Sequence, residues 1–176
     1  RLAERVVFGK VRRSAFGSRI RFCVGGGALL DVRQQEFFKA LGVPVYQGYG
    51  LTEAAPVISS NTPRAHKLGS SGRPAPSLQC RILSAEGREA KTGERGEIVV
   101  RGENVMKGYY KNPKASAEVL RDGWLFTGDL GYLDQDGFLV VVGREKALLI
   151  ADDGEKYSPE EIEEAIVNSS PLIAQI

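Results

Sequence analysis

The chain has 176 residues, 42% of them hydrophobic, and its 24 basic and 22 acidic side chains leave a net charge of +2. That is enough for one sizeable core, or one and a part, while basic residues clustered only at Lys10-Val11-Arg12-Arg13 argue against a nucleic-acid-binding surface. No apolar run reaches the ~18 residues of a bilayer span, and Cys23 and Cys80 form neither a metal spacing nor a disulfide framework, so both read as buried thiols of a cytosolic protein. With no initiator Met and an apolar stop at Ile176, the chain is expected to be a piece of a longer protein.

Residues 2–16 place Val6, Val7, Val11 and Ala15 on a helical face that should end near Gly17. A short strand over residues 19–24 then runs into Gly25-Gly26-Gly27, after which Asp31 can cap a helix to Leu41 and Gly42 can stop it. A second strand covers residues 43–46. Strand, helix and strand at this spacing predict a right-handed unit with parallel strands, so both strand ends emerge on one edge. The triple glycine would thus lie beside a predicted turn at Gly48-Tyr49-Gly50-Leu51-Thr52-Glu53. Glycines on either side of Tyr49 free the backbone to hold its ring outward over a crevice. A phenol face can stack on a purine, the Thr52 hydroxyl can donate to a phosphate, and the Glu53 carboxylate can ligate the Mg²⁺ of a nucleoside triphosphate. Taken alone, this stretch fits an ordinary surface turn equally well; the second glycine-rich turn beside it shifts the balance towards a site.

Residues 59–76 are rich in Ser, Asn, Pro and Gly and predict a long surface loop. His66, the only histidine, has no ligand-spaced partner there and is expected to be solvated, without a role. Beyond Pro76 short strands are predicted at residues 78–83, 96–101, 123–126, 131–133 and 138–142, with turns at Asp122-Gly123 and Asp136-Gly137. These suggest a small β-barrel or sandwich, interrupted by a helix over 113–120 that Asn112 can cap. Ser158-Pro159-Glu160-Glu161 combines a Ser cap with Pro at the first helical position and predicts a helix over 159–168.

Gly25-Gly26-Gly27-Ala28, Tyr49-Gly50-Leu51-Thr52-Glu53, Gly96-Glu97-Ile98-Val99-Val100-Arg101-Gly102, Phe126-Thr127-Gly128-Asp129 and Gly143-Arg144-Glu145-Lys146 together resemble the adenylate-forming superfamily of acyl-CoA synthetases, luciferases and peptide-synthetase adenylation domains. No one of them is specific; their order is. The flanking Arg12-Arg13-Ser14-Ala15-Phe16-Gly17 and Gly69-Ser70-Ser71-Gly72-Arg73-Pro74 look most like the long-chain fatty acyl-CoA synthetases. The resemblance implies an α/β plus β fold: the C-terminal part of a parallel-sheet α/β subdomain, a small distorted β-barrel subdomain, and the start of an α+β C-terminal domain. Residues 1–142 would belong to the large AMP-binding domain (1–76 α/β, 77–142 β-rich), 143–146 to a hinge, and 147–176 to a truncated small domain.

On matching positions the resemblance implies that Gly25, Gly26, Gly27 and Ala28 line the adenine and acyl pocket, with Gly48 and Gly50 flanking an adenine-stacking Tyr49. Thr52 would contact phosphate and Glu53 hold Mg²⁺. Asp129 would accept from both ribose hydroxyls, Arg144 reach the same ribose, Lys146 act as the hinge, and Gly154 line the path of the CoA thiol. Ile150 departs from the luciferase-like branch, which has a Lys there. The implied activity is ATP-dependent ligation of a fatty acid through an acyl-adenylate to CoA, with ATP/AMP, Mg²⁺ and CoA as the bound groups. A family phosphate loop and C-terminal lysine have no counterpart in these residues, so the piece by itself is expected to be inactive. Acyl carrier protein as the thiol acceptor, a noncatalytic adenylate- or partner-binding module, and peripheral membrane contact by the full-length enzyme stay open at this point; nucleic acid is not an expected partner.

Overall fold

A computed structural model of the chain describes residues 7–145, 149–150, 156–157 and 159–169. Helix α1 (Gly9–Phe16) stops at Gly17, whose N–H bonds back to Arg13 O, as the glycine predicted. Helix α2 (Val32–Ala40) begins at Asp31, whose carboxylate accepts from the N–H groups of Arg33 and Gln34 and satisfies donors the first turn would otherwise leave unpaired. Strands β1 (Cys23–Gly25) and β2 (Val45–Gly50) flank α2 and pair in parallel, with Cys23 opposite Val45 and Gly25 opposite Gln47. The expected strand–helix–strand unit is therefore present.

Three expectations in this part are corrected. The stretch Gly48-Tyr49-Gly50 is strand, not turn: β2 continues through Gly50 and pairs antiparallel with β3 (Val57–Ser60) across a bulge between Tyr49 and Gly50. The reversal falls later, in a 3₁₀ turn at Thr52–Ala54 and a left-handed Ala55. Gly50 serves close approach instead of turning, because a Cβ there would overlap the carbonyl of Pro56. Nor are residues 59–76 a surface loop. They contain β3 and β4 (Arg73–Pro74), and Ser59, Asn61, Ser70 and Ser71 are buried. Their side chains supply partners for an irregular backbone: Asn61 Nδ2 donates to Ser70 O and joins Asn61 N on Gln47 O, and Asn61 Oδ1 accepts from Lys67 N. His66 is half-buried rather than solvated, its ring edge-on to Tyr46 with centroids 5.1 Å apart. Burial, and then the charge of Lys39, lower its pKa.

The second sheet is antiparallel and forms a half-barrel. Its strands are β5 (Leu78–Leu83), β6 (Gly96–Gly102), β7 (Leu120–Arg121), β8 (Trp124–Leu133) and β9 (Leu139–Arg144), with β8 pairing β6 on one side and β7 and then β9 on the other. Where two short strands were expected, β8 is one long strand, because Thr127-Gly128-Asp129 forms a bulge inside it instead of a turn between strands. Asp122-Gly123, both at positive φ, makes the expected tight hairpin between β7 and β8. Helix α3 (Pro113–Val119) is capped by Asn112, as read from the sequence. A hairpin of β10 (Leu149–Ile150) and β11 (Lys156–Tyr157) precedes α4 (Pro159–Ser169), which lies against β9. Ser158, its expected cap, and residues 2–6 of the first predicted helix lie outside the described residues.

One core joins the two sheets. Ala54 and Ile58 from the first pack with Ile82, Ile98, Val100, Leu125 and Leu139 from the second. Backbone bonds between Ser71 N and Leu139 O, and Leu139 N and Gly72 O, extend the junction, and Arg73 lies over the Phe138 ring. Burying side chains of this kind stabilises by about 1.5–3 kcal/mol each. The fold thus fixes the end of β2 against the middle of β8.

Candidate nucleotide site

Asp129 sits in the β8 bulge and is 4% exposed. A buried carboxylate must have its oxygens met, and both are: Tyr49 donates its hydroxyl to Oδ2 at 2.6 Å, and Arg144 Nε donates to Oδ1 at 2.9 Å. Arg144 is directly opposite Asp129 across the β8–β9 ladder, while Tyr49 arrives from β2. Burial, then the bond to Asp129 and its charge, push the Tyr49 phenol well above its ordinary pKa and keep it a hydroxyl donor. The Tyr49 ring is therefore half-buried with its oxygen tied inward, not simply held outward as the turn reading had it.

Glu53 belongs to the 3₁₀ turn that follows β2. Its carboxylate accepts from the Tyr109 hydroxyl at 2.8 Å, its carbonyl accepts from Met106 N, and Asn104 Nδ2 donates to Ala54 O next to it. The bond to Glu53, and then burial, raise the Tyr109 pKa. Thr52 beside it is exposed. Tyr49 of β2 thus meets Asp129 of β8, itself bonded by Arg144 of β9, while Glu53 in the turn after β2 meets Tyr109 in the loop before α3. Among the described residues no three His, Cys, Asp or Glu side chains gather as a metal cluster.

The glycine-rich edge is built next to this. Gly25 pairs with Gln47, and Gly26 faces the Gly48 carbonyl, so the triple glycine does lie beside β2. Gln47 is buried; with its amide oxygen towards Leu30 N it accepts at 2.6 Å and donates to Gly25 O at 3.3 Å. Gln35, also buried, donates to Leu30 O. These two glutamines hold the bend from Gly27 through Ala28 to Leu30. Neither was singled out from the sequence, nor was Tyr109, although Gln47 stands in the middle of the glycine-flanked stretch. Lys146 and Gly154 lie outside the described residues. Both cysteines are free and half-buried, and burial pushes the Cys80 thiol up to about 11.

An aromatic ring, a buried carboxylate with an arginine, an exposed threonine and a glutamate lie near a glycine-rich edge, side-chain types suited to a nucleotide. The chain belongs to the AMP-binding enzyme family, whose model matches residues 2–110. It is 47% identical over 152 residues to the long-chain-fatty-acid–CoA ligase of Bacillus subtilis, covering 85% of this chain and 27% of that protein. It is 47% identical over 142 residues to a 2-succinylbenzoate–CoA ligase of Geobacillus kaustophilus, covering 80% of this chain and 28% of the relative. Among solved structures, the o-succinylbenzoate CoA synthetase of Bacillus subtilis with its acyl-adenylate intermediate matches at a TM-score of 0.84 and 36% identity, over 96% of this chain and 35% of that one. The same enzyme with ATP and magnesium matches at 0.83 and 35% identity, over 99% of this chain and 36% of that one. The chain spans about a quarter of the length of the curated relatives it matches. Among the described residues no helix is long and apolar enough to cross a membrane.

Proposed function

We propose that this chain is the nucleoside-binding part of an AMP-forming carboxylic acid–CoA ligase whose acid is a long-chain fatty acid. The acid carboxylate attacks the α-phosphate of ATP, a P–O bond forms and pyrophosphate leaves; the CoA thiol then adds to the acyl carbonyl and AMP leaves. The observation that carries this reading is Asp129, a buried carboxylate held rigid between Tyr49 and Arg144. Each carboxylate oxygen has about two acceptor positions, so both ribose hydroxyls can be received without first uncovering the charge. Arg144, with a side chain 63% exposed, is the partner able to move and share the sugar.

Tyr49 offers its ring to adenine, and Gly25, Gly26, Gly27 and Ala28 with Gly48 and Gly50 offer bare backbone against a flat ring. Thr52 would donate to the phosphate of the adenylate, a role supported by its exposure at the start of the 3₁₀ turn. Glu53 fits a magnesium ion, which takes one or two carboxylates and completes its shell with phosphate oxygens and water. Magnesium bound there would neutralise charge on the triphosphate. These residues bind and orient; catalysis then comes from placing reactants in line and from neutralising charge, with no covalent enzyme intermediate. Gly154 is assigned to the path of the CoA thiol and Lys146 to the hinge between half-reactions.

Long-chain acid as substrate is supported by the Bacillus subtilis relative and by a second long-chain-fatty-acid–CoA ligase, from Mycobacterium tuberculosis, 36% identical over 98% of this chain. The test is pyrophosphate exchange by the full-length enzyme with palmitate, 2-succinylbenzoate and indoleacetate, followed by CoA thioester formation. Palmitate should give the highest kcat/KM. A preference for either aryl acid would retain the ligase and overturn the fatty acid.

A further inference from the structure

The Gly96-Glu97 start of β6 is a motif that the nucleotide reading leaves without a task. We infer that Glu97 is a positioning residue that aims Asp129 at the ribose, an inference resting on the ribose role proposed above for Asp129. The β6–β8 ladder is regular at Gly96 opposite Gly131 and Glu97 opposite Leu130, and again at Val99 opposite Phe126 and Val100 opposite Leu125. Between these points β8 carries more residues than β6, and the surplus is Thr127-Gly128-Asp129. An unanchored bulge can slide along its ladder, and a slip of one residue would turn Asp129 to the opposite face.

Three bonds to β6 and within the bulge prevent the slip. Gly128 N donates to Glu97 Oε1 at 3.0 Å, Thr127 Oγ1 donates to Ile98 O at 2.7 Å, and Asp129 N donates to Thr127 Oγ1 at 3.1 Å. Glu97 is the only side chain of β6 in this set, and it holds the residue whose φ of +69° sets the direction of the chain entering Asp129. Thr127 bonds a backbone carbonyl that any residue at 98 would present, so on β6 the sequence-specific part of the anchor is the Glu97 acceptor. Its half-buried position on the β6–β8 seam keeps water from replacing it. Glu97 itself bonds neither Tyr49 nor Arg144; its hydrogen bond into the bulge is to Gly128 N, and burial, with the nearby Asp129 charge adding to it, raises the Glu97 pKa.

The experiment compares kcat/KM for ATP and 2′-deoxy-ATP in the full-length enzyme and in Glu97→Ala, Glu97→Met, Glu97→Gln and Asp129→Ala, with thermal midpoints measured alongside. Glu97→Ala should lower the preference for ATP over 2′-deoxy-ATP roughly tenfold, the factor that corresponds to about 1.4 kcal/mol, chiefly through KM. Glu97→Met, which fills the space without an acceptor, should do the same even if Glu97→Ala does not fold. Glu97→Gln, which keeps an Oε1 acceptor for Gly128 N, should retain the preference within about twofold. If Asp129→Ala leaves the preference at the wild-type value, the ribose role is wrong and this inference goes with it. If Asp129→Ala abolishes the preference while Glu97→Met keeps it, or if Glu97→Gln loses as much as Glu97→Met, the positioning role alone is overturned. A lower thermal midpoint with an unchanged preference marks Glu97 as purely structural and also overturns it.

Discussion

Asp129 is where burial and the proposed ribose role pull on the same atoms. A carboxylate at 4% exposure is tolerated because Tyr49 and Arg144 supply charge-assisted donors, and the same burial makes it a stronger acceptor for a bound sugar. In the full-length enzyme Asp129→Ala should raise the KM for ATP and slow adenylation, since each ribose hydrogen bond to a charged acceptor is worth roughly 1.5–3 kcal/mol. The loss should be smaller with 2′-deoxy-ATP, which lacks one hydroxyl already. ATP kinetics identical to wild type would remove the ribose role. The sequence made Asp129 and Arg144 legible as candidates only through the order of motifs along the chain, while Tyr49 was also marked by its flanking glycines. Their contact was not legible, because Tyr49 and Asp129 are 80 positions apart and meet through sheet packing. Tyr109 illustrates the same gap: nothing in its neighbourhood points to Glu53, and the bond follows from where α3 and its preceding loop are carried by the half-barrel.

At the level of elements, local chemistry was read correctly wherever the cause was local. Asp31 and Asn112 cap their helices, and Asp122-Gly123 turns its hairpin, through bonds or φ angles within a few residues. It misled where long-range pairing decides. Gly48 and Gly50 carry the composition of a turn, yet β3 supplies a partner strand and makes them extended. Residues 59–76 have the composition of a loop, yet their polar side chains are the buried hydrogen-bond partners that let an irregular chain enter the core. Asn61→Ala should therefore lower the thermal midpoint by roughly 4–8 °C, from about 2 kcal/mol lost when Ser70 O and Lys67 N lose their partner, while Gln47 O keeps the backbone N–H of residue 61. A shift under about 1 °C would show that Asn61 is not the hub of this segment. The middle of the segment is clamped by Lys67, whose ammonium lies 2.6 Å from Asp134 and 2.8 Å from Asp136 on the β8–β9 turn. Burial alone would raise Asp134, but the Lys67 bond and the N–H groups of Phe138 and Asp136 bring it below its usual value. A depressed carboxylate contributes stability above its unfolded pKa of about 3.9, and that contribution is lost as pH falls through the lower folded value. Asp134→Asn should thus melt below wild type at pH 7, with the difference shrinking as the pH is taken below about 4. A difference that persists undiminished at pH 2.5 would assign the effect to packing instead of charge.

Across the whole molecule, the two sheets share one core, and the bonds Tyr49–Asp129 and Glu53–Tyr109 tie them on the side of the proposed nucleotide site. That arrangement supports a particular limit on the proposed domain rotation. Gly143 and Arg144 are strand residues, paired to Leu130 and Asp129, and Arg144 also bonds the Asp129 carboxylate. A swivel at either would break the ladder and uncover a buried charge, so the proposed hinge of residues 143–146 narrows to the bonds after Arg144, with Lys146 as its centre. Replacing Lys146 by Pro fixes φ near −65° and removes a backbone donor, which should hold the small domain in one orientation. The half-reactions should then separate. Single-turnover formation of acyl-adenylate from acid and ATP, and thioester formation from preformed acyl-adenylate and CoA, would be measured in the full-length enzyme carrying Lys146→Pro. One step should stay near the wild-type rate while the other falls by at least about tenfold, equivalent to about 1.4 kcal/mol in its barrier. Gly143→Ala gives the contrast: set inside β9, it should perturb stability and ATP binding without separating the two steps. If Lys146→Pro slows both half-reactions equally, or neither, rotation about this position does not govern the switch, and the strand end at Arg144 is only the edge of a sheet.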